Sequence, residues 1–342
     1  MDRTRPALRN GHVANFASLF EHDVGVKSTG ARQLGSLASM DARALLAELA
    51  PTAETLFNRH LETSKGWSAH EFVPFSRGRD YTEESPWEQG DSQLSDLAQS
   101  ALYVNLLTED NLPYYTHTLL KWFGEDDVWS EWGRRWTTEE HQHGEAIRMY
   151  LMVTRGVDPV MLEEGRKATM STGWDAGWTT PLDGLVYPTL QELATRISHR
   201  NTAKLIDDPA GRELMNRVVT DENFHFLFYR DVCTAALELD PSSIVRSLER
   251  VVREFAMPGT GIPGFAIHAK RMADASIYDV VQHYEQILVP IVLRHFKVEQ
   301  LEGLTPEGEQ ARDKLVHQIG RIGRLAERIA DRRASKEEAR AN

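Results

Sequence analysis

Among 342 residues there is one cysteine, Cys233. A lone thiol cannot close an internal disulfide, and it cannot supply the thiolate set of an iron–sulfur cluster or a cysteine-rich zinc site. It agrees with a reducing, cytoplasmic setting. Long apolar runs are missing as well. No stretch approaches the roughly eighteen apolar residues that a membrane helix requires, so no membrane span is expected. The first forty residues mix Arg, Asp, Glu and Gly without a continuous apolar segment, which argues against a signal or transit peptide. Positive charge is also short: 39 Lys and Arg stand against 51 Asp and Glu, a net charge of −12. That balance argues against generic nucleic-acid binding, and any acidic partner would need a local basic patch.

What remains is the composition of a soluble globular protein, 41% hydrophobic and 26% charged. Apolar residues recur at i, i+3 and i+4 over long stretches, which predicts an all-α chain. One large domain over 41–334 is expected, preceded by a loosely structured arm, 1–40, and followed by a charged tail, 335–342. A helix starts near Asp41, with Pro51 interrupting it. A second runs from about Asp91 through Leu119 with a distortion where Pro113 meets Glu109. A third opens near Glu140, with Thr137 or Thr138 as its cap. Two more cover about Thr189 to Leu205 and about Ala210 to Leu239, separated from the third by a Gly- and Trp-rich connection.

Two Glu-x-x-His pairs stand out, Glu140 with His143 and Glu222 with His225. Residues three apart on a helix share a face, so each pair can reach one cation. A single such pair arises by chance in a chain of this composition. These two repeat in context. Each follows an acid, Glu139 or Asp221, and each lies about one helix pair beyond an isolated helical glutamate: Glu109 is 31 positions before Glu140, and Glu192 is 30 before Glu222. A Glu from each of two helices with Glu-x-x-His from each of two others is the ligand set of a di-iron carboxylate site in a four-helix bundle. Four carboxylates and two imidazoles neutralise two cations and leave coordination positions for O2. Ligand histidines donate their second ring N–H to a carboxylate, and Glu139 and Asp221 are the symmetric candidates. Thr195, one turn from Glu192, is read as a hydroxyl on the oxygen side of the site. His117, His141 and His199 are read as ordinary helical histidines.

The string Trp136-Thr137-Thr138-Glu139-Glu140-His141-Gln142-His143-Gly144 resembles the signature of soluble acyl-(acyl carrier protein) desaturases, the stearoyl-type enzymes of plant plastids and their actinobacterial relatives. Similar landmarks follow in order: Leu107 to Tyr114, Gln191 to Thr195 with Ile197-Ser198-His199, Asp221 to His225, Asp240-Pro241, Met257-Pro258 and Leu301 to Leu304. His141-Gln142 and Asn223-Phe224 depart from the Asn-Arg and Lys-Arg usual in plant members. Carried over by position, the family's iron ligands fall on Glu109, Glu140, His143, Glu192, Glu222 and His225. The resemblance implies a ferritin-like four-helix bundle with additional flanking helices, assembled as a homodimer. It further implies two iron ions per chain, O2 as co-substrate, an acyl chain delivered on acyl carrier protein, electrons from ferredoxin or an equivalent reductant, and a cis alkene as product.

A di-iron N-oxygenase or hydroxylase would share the ligand set, and a non-catalytic ferritin-like iron-binding protein would share the fold. A long apolar tunnel beside the metals favours desaturation, whereas a short polar pocket favours oxygen insertion. For the acidic carrier the sequence offers Arg246, Arg250 and Arg253 on one helix face, with Lys270 and Arg271 shortly after; the plainer reading is a solvated face paired with nearby acids.

Overall fold

The computed structural model describes residues 41–124, 127–259 and 261–341. The expected arm, 1–40, lies outside the described residues. No strand occurs among the described residues. Helix α1 (Ala42–Thr63) is followed by α2 (Asp96–Glu109), α3 (Leu112–Phe123), α4 (Val128–Val153), α5 (Pro159–Thr172), α6 (Asp183–Ala203), α7 (Pro209–Leu239), α8 (Pro241–Glu254) and α9 (Phe265–Asp274). A short α10 (Val280–His283) continues as a π-helical stretch, Tyr284–His295, and α11 (Pro306–Ala341) closes the chain. Helices α2, α4, α6 and α7 form a four-helix bundle. Outside it, α1 lies along α4 and α7, α8 lies along α6 and α7, and α11 covers α8.

Several boundaries differ from the sequence reading, each for a local reason. Pro51 does not interrupt α1, because it sits on the exposed face of one continuous helix where an unbonded carbonyl meets water. The stretch expected to be one distorted helix over Asp91 to Leu119 is two, parted at Asp110 and Asn111. Pro113 cannot donate to the Glu109 carbonyl, and the fork of Arg166 holds Asp110 at 2.7 and 2.8 Å. Glu109 is thereby the last residue of its helix.

Glu140 does not open α4 but lies in its middle. Asp127 caps the helix by accepting from the Trp129 and Ser130 amides, while Thr137 and Thr138 return their hydroxyls to the Gly133 and Arg134 carbonyls. The added turns carry Trp129, Trp132 and Trp136 inward, and Trp132 stacks on Phe228 of α7 with centroids 3.6 Å apart. Likewise α6 starts at Asp183, earlier than Thr189. Asp183 accepts from the Thr179 and Thr180 amides, from Ser247 at 2.6 Å and from Arg250 at 2.7 Å. The Gly- and Trp-rich connection contains α5, which Asp158 caps and Pro159 starts. The residues expected as a charged tail, as far as Ala341, continue α11.

Close helix approach at the site depends on Gly144, where a Cβ would meet the Glu109 Cβ at 3.3 Å. A larger side chain must push α2 away from α4. Gly144→Leu is therefore expected to lower stability by about 1–3 kcal/mol. Urea unfolding measures it, and an unchanged midpoint would show that the two helices are not pressed together there.

Candidate metal centre

Each of the six expected ligands comes from a bundle helix, and each faces the bundle axis because helical spacing puts it on the buried stripe. Glu109, Glu140, His143, Glu192, Glu222 and His225 are all buried, from 0 to 6% exposed. They converge. Glu109, Glu140, His143 and Glu222 bring one donor atom each within 4.8 Å of one another, and Glu140, Glu192, Glu222 and His225 do the same. Glu140 and Glu222 belong to both groups, so two cations would share them, with Glu109 and His143 serving one and Glu192 and His225 the other. His143 Nδ1 lies 3.4 Å from Glu140 and 3.6 Å from Glu222; His225 Nδ1 lies 2.9 Å from Glu140 and 3.6 Å from Glu192.

Despite this proximity, Glu140 Oε1, Glu192 Oε2, both Glu222 oxygens and the Nδ1 atoms of His143 and His225 make no hydrogen bond of proper geometry. Buried polar atoms are ordinarily paired, and six convergent unpaired donors of electron density fit metal cations. The donor set, carboxylate oxygens with imidazole nitrogens, suits iron.

The other face of each histidine is tied to an acid on the other half of the repeat. His143 Nε2 lies 3.3 Å from Asp221, and His225 Nε2 lies 2.9 Å from Glu139. The pairing is crossed: the acid before Glu140 serves the histidine after Glu222, and the reverse. It fixes the tautomer that turns each Nδ1 inward. Each acid is held in turn. Asp221 accepts from Trp67 Nε1 at 2.7 Å and pairs with Arg217. Glu139 accepts from His60 and Ser64 and pairs with Arg135 at 2.6 Å. Trp136 donates to Glu192 at 3.0 Å.

Of these partners only Arg135 and Arg217, one turn before Glu139 and Asp221, follow helical spacing; His60 and Trp67 lie far away along the chain and carry no pattern. Trp67, just beyond α1, reaches the site through Asp221. His117 and His141 are exposed, as their plain reading requires. His199 is not ordinary: it is 1% exposed, with Nε2 3.3 Å from Glu109 and 3.4 Å from Glu222. Thr195 is buried beside Glu192, and its hydroxyl accepts from Gln191 at 2.7 Å and donates to the Gln191 carbonyl at 3.0 Å.

The basic residues do not gather into one free patch. Arg250 is held by Asp183, Arg253 pairs with Glu249 at 2.5 Å and Glu254 at 2.9 Å, and Lys270 pairs with Asp274. Arg246 donates to Ser243 and Arg271 to Ser100. The pairing is local for Arg246, Arg253 and Lys270, whereas Arg250 and Arg271 are held by residues from other segments.

Without cations, burial drives the site's protonation. It raises Glu109 and Glu222 well above the usual carboxylate range, and repulsion from Glu140 adds to it. Burial would also raise Glu140, but the neighbouring His143 and His225 overcome this and hold it far below its ordinary value. His143 moves the other way: burial would lower it, but Glu140 and Asp221 raise it to about 9. Burial, with the charge of His143, lowers His199 to about 3 and so keeps it neutral. A raised histidine gains charge-pair stabilisation that is fully present below about pH 6.5 and is lost as pH rises through about 9. A metal needs the neutral imidazole and ionised carboxylates. Loading with Fe2+ at pH 7.5 should therefore release protons, and release them in smaller number at pH 9.5. Calorimetric titration in buffers of different ionisation enthalpy measures this, and a binding heat independent of buffer would contradict it.

Comparison with known proteins agrees with this arrangement. The fatty acid desaturase family model matches residues 41–342. A Mycobacterium tuberculosis (strain H37Rv) protein named as an acyl-(acyl-carrier-protein) desaturase, DesA1, is 41% identical over 281 residues, covering 79% of this chain and 83% of its own. The chloroplastic stearoyl-(acyl-carrier-protein) 9-desaturase 6 of Arabidopsis thaliana is 32% identical over 281 residues, covering 77% of this chain and 71% of its own. The X-ray structure of DesA2 from M. tuberculosis H37Rv, titled an acyl-ACP desaturase, matches with a TM-score of 0.64 at 28% identity, over 78% of this chain and 99% of that one. With its all-helical, ferritin-like fold and a family match that runs from the first described helix to the C-terminus, the chain belongs to the fatty acid desaturase family.

Proposed function

We propose that this protein is an O2-dependent di-iron desaturase that introduces a cis double bond into an acyl chain carried on acyl carrier protein. The observation that carries the reading beyond the family is the pair of apolar clefts flanking the candidate metal centre. One is lined by Tyr115, Leu119, Trp136, Tyr187 and Tyr229 and touches Glu192. The other is lined chiefly by Val104, Met257, Phe265 and Met272, with Asn105, Thr108 and Ser198 among them, and touches Glu109 and Thr195. Both border Pro258, and in this reading a long unbranched chain would lie there, past both terminal glutamates. Such a lining suits methylenes and offers little to a polar substrate, which favours desaturation over oxygenation of a small polar molecule.

Two iron ions would be held by Glu109, Glu140, His143, Glu192, Glu222 and His225, and would supply the activation of O2 that removes two hydrogens from adjacent methylenes. The chain's own residues do the rest. The aromatic walls hold the acyl chain extended and keep water away from the carboxylates. Asp221 and Glu139 keep the two imidazoles in register. Thr195, which borders the cleft beside Glu109, would have to release its hydroxyl from Gln191 to act on the oxygen side of the site.

Ferredoxin or an equivalent reductant would supply two electrons, and the enzyme would work as a cytoplasmic homodimer. No helix among the described residues is long and apolar enough to cross a membrane. The carrier would dock through the more exposed cations of the expected set, Arg253 and Lys270, by exchanging their intramolecular acids for those of the carrier. Arg250 lines a cleft that adjoins the apolar one at Trp174 and Trp178, but it is already engaged by Asp183.

Expression in a host lacking acyl-ACP desaturase, with mass spectrometry of its fatty acids, tests the reaction: a monounsaturated product is expected. The purified protein should hold two irons per chain, and Glu140→Ala or Glu222→Ala should lose metal and product together. Product formation by those variants at the wild-type rate, or one iron per wild-type chain, would overturn the di-iron reading.

A further inference from the structure

The two ends of the metal centre are built alike in sequence but anchored differently. At the His143 end, Asp221 is held by Arg217 and by the Trp67 indole, whose single N–H can only donate. At the His225 end, Glu139 is held by a second imidazole. His60 Nε2 lies 2.9 Å from Glu139 Oε2, the same oxygen that His225 Nε2 reaches at 2.9 Å. The other oxygen, Oε1, is held by Ser64 at 3.0 Å and Arg135 at 2.6 Å, and lies at a longer 3.2 Å from His60 Nε2. His60 is 4% exposed and stacks on His225 with centroids 5.9 Å apart, its far side closed by Trp132 and Phe224.

We propose that His60, on a helix outside the four-helix bundle, is a positioning residue for the metal held at the His225 end, acting through Glu139. The inference rests on the two-metal reading above and concerns one of the two metals. Two imidazole N–H groups converging on one carboxylate oxygen hold that oxygen in line with His225 Nε2. This fixes the tautomer that leaves the His225 Nδ1 lone pair pointing at Glu140 and Glu192. Removal of the His60 N–H leaves Oε2 with His225 alone, while Ser64 and Arg135 pull on Oε1 and turn the carboxylate away. The His143 end has its own anchor and does not depend on His60.

The test is a titration of the metal-stripped, full-length chain with Co2+, followed by visible absorption. His60→Phe preserves an aromatic ring against His225 and removes the hydrogen bond; it should weaken one of two Co2+ affinities by about ten- to a hundredfold and leave the other within about threefold. His60→Gln, which retains an N–H donor, should recover most of the loss. Backgrounds of His225→Ala and His143→Ala identify the end affected. The His60→Phe effect should vanish in the first and persist in the second, because coupled residues are non-additive and distant ones add. Equal weakening of both metals, no weakening, or the same loss in both backgrounds would overturn the proposal while the two-metal reading stands. Fewer than two Co2+ bound by the wild-type chain would overturn both.

Discussion

Everything in this structure answers to one constraint: four carboxylates and two imidazoles are enclosed in a dry helical core, where uncompensated charge is expensive. Without cations the enclosure is relieved by protons, which is why burial raises Glu109 and Glu222 while Glu140 stays ionised between two raised histidines. With two cations the same groups become ligands and the charge closes. The surrounding scaffold serves this exchange. Trp129, Trp132 and Trp136 pack the turns of α4 that precede Glu140 on the same buried stripe, while α1 and α8 lie against the bundle and α11 covers α8, which keeps water from competing for the ligands.

Precision comes from the two acids just outside the cluster, which are fully engaged by partners. Asp221 and Glu139 each join a histidine of the opposite half to an anchor on the α1 side of the bundle. Each therefore ties together segments that the chain visits far apart: α4, α7 and either α1 or the turn that follows it. Breaks in regularity fall where they are useful. The interruption at Asp110 and Asn111 ends α2 on Glu109 and leaves space for the cleft that Thr108, Glu109 and Pro258 border. A continuous helix through Pro113 would have carried the backbone across that path.

The same packing bears on substrate choice. In the proposed reaction an acyl chain would pass Glu109 and Glu192 between a cleft bordered by Tyr115, Tyr187 and Tyr229 and one bordered by Phe265 and Met272. Aromatic walls give such a passage definite length, because rings cannot fold out of the way as aliphatic side chains do. Tyr187 is further fixed by its hydroxyl, which donates to the Ala256 carbonyl at 2.9 Å.

The six candidate ligands were legible in the chain because their arrangement is local: a helix repeats every 3.6 residues, so Glu140 with His143 and Glu222 with His225 must share faces wherever the helices go. Spacing of about thirty residues between Glu109 and Glu140, and again between Glu192 and Glu222, likewise reported two antiparallel helix pairs. The acids Glu139 and Asp221 were legible as partners of histidines, but not which histidine each serves. That choice is tertiary, set by the way α4 and α7 face each other across the bundle. His60 and Trp67 left no mark at all, since the contacts that give them meaning, with Glu139 and Asp221, span 79 and 154 residues and follow no period. The positive stripe on α8 shows the converse. Its spacing was real, yet folding brought Asp183 to Arg250 and set Glu249 and Glu254 on Arg253, because a sequence fixes which face a cation occupies and only the packed structure decides which acid reaches it first.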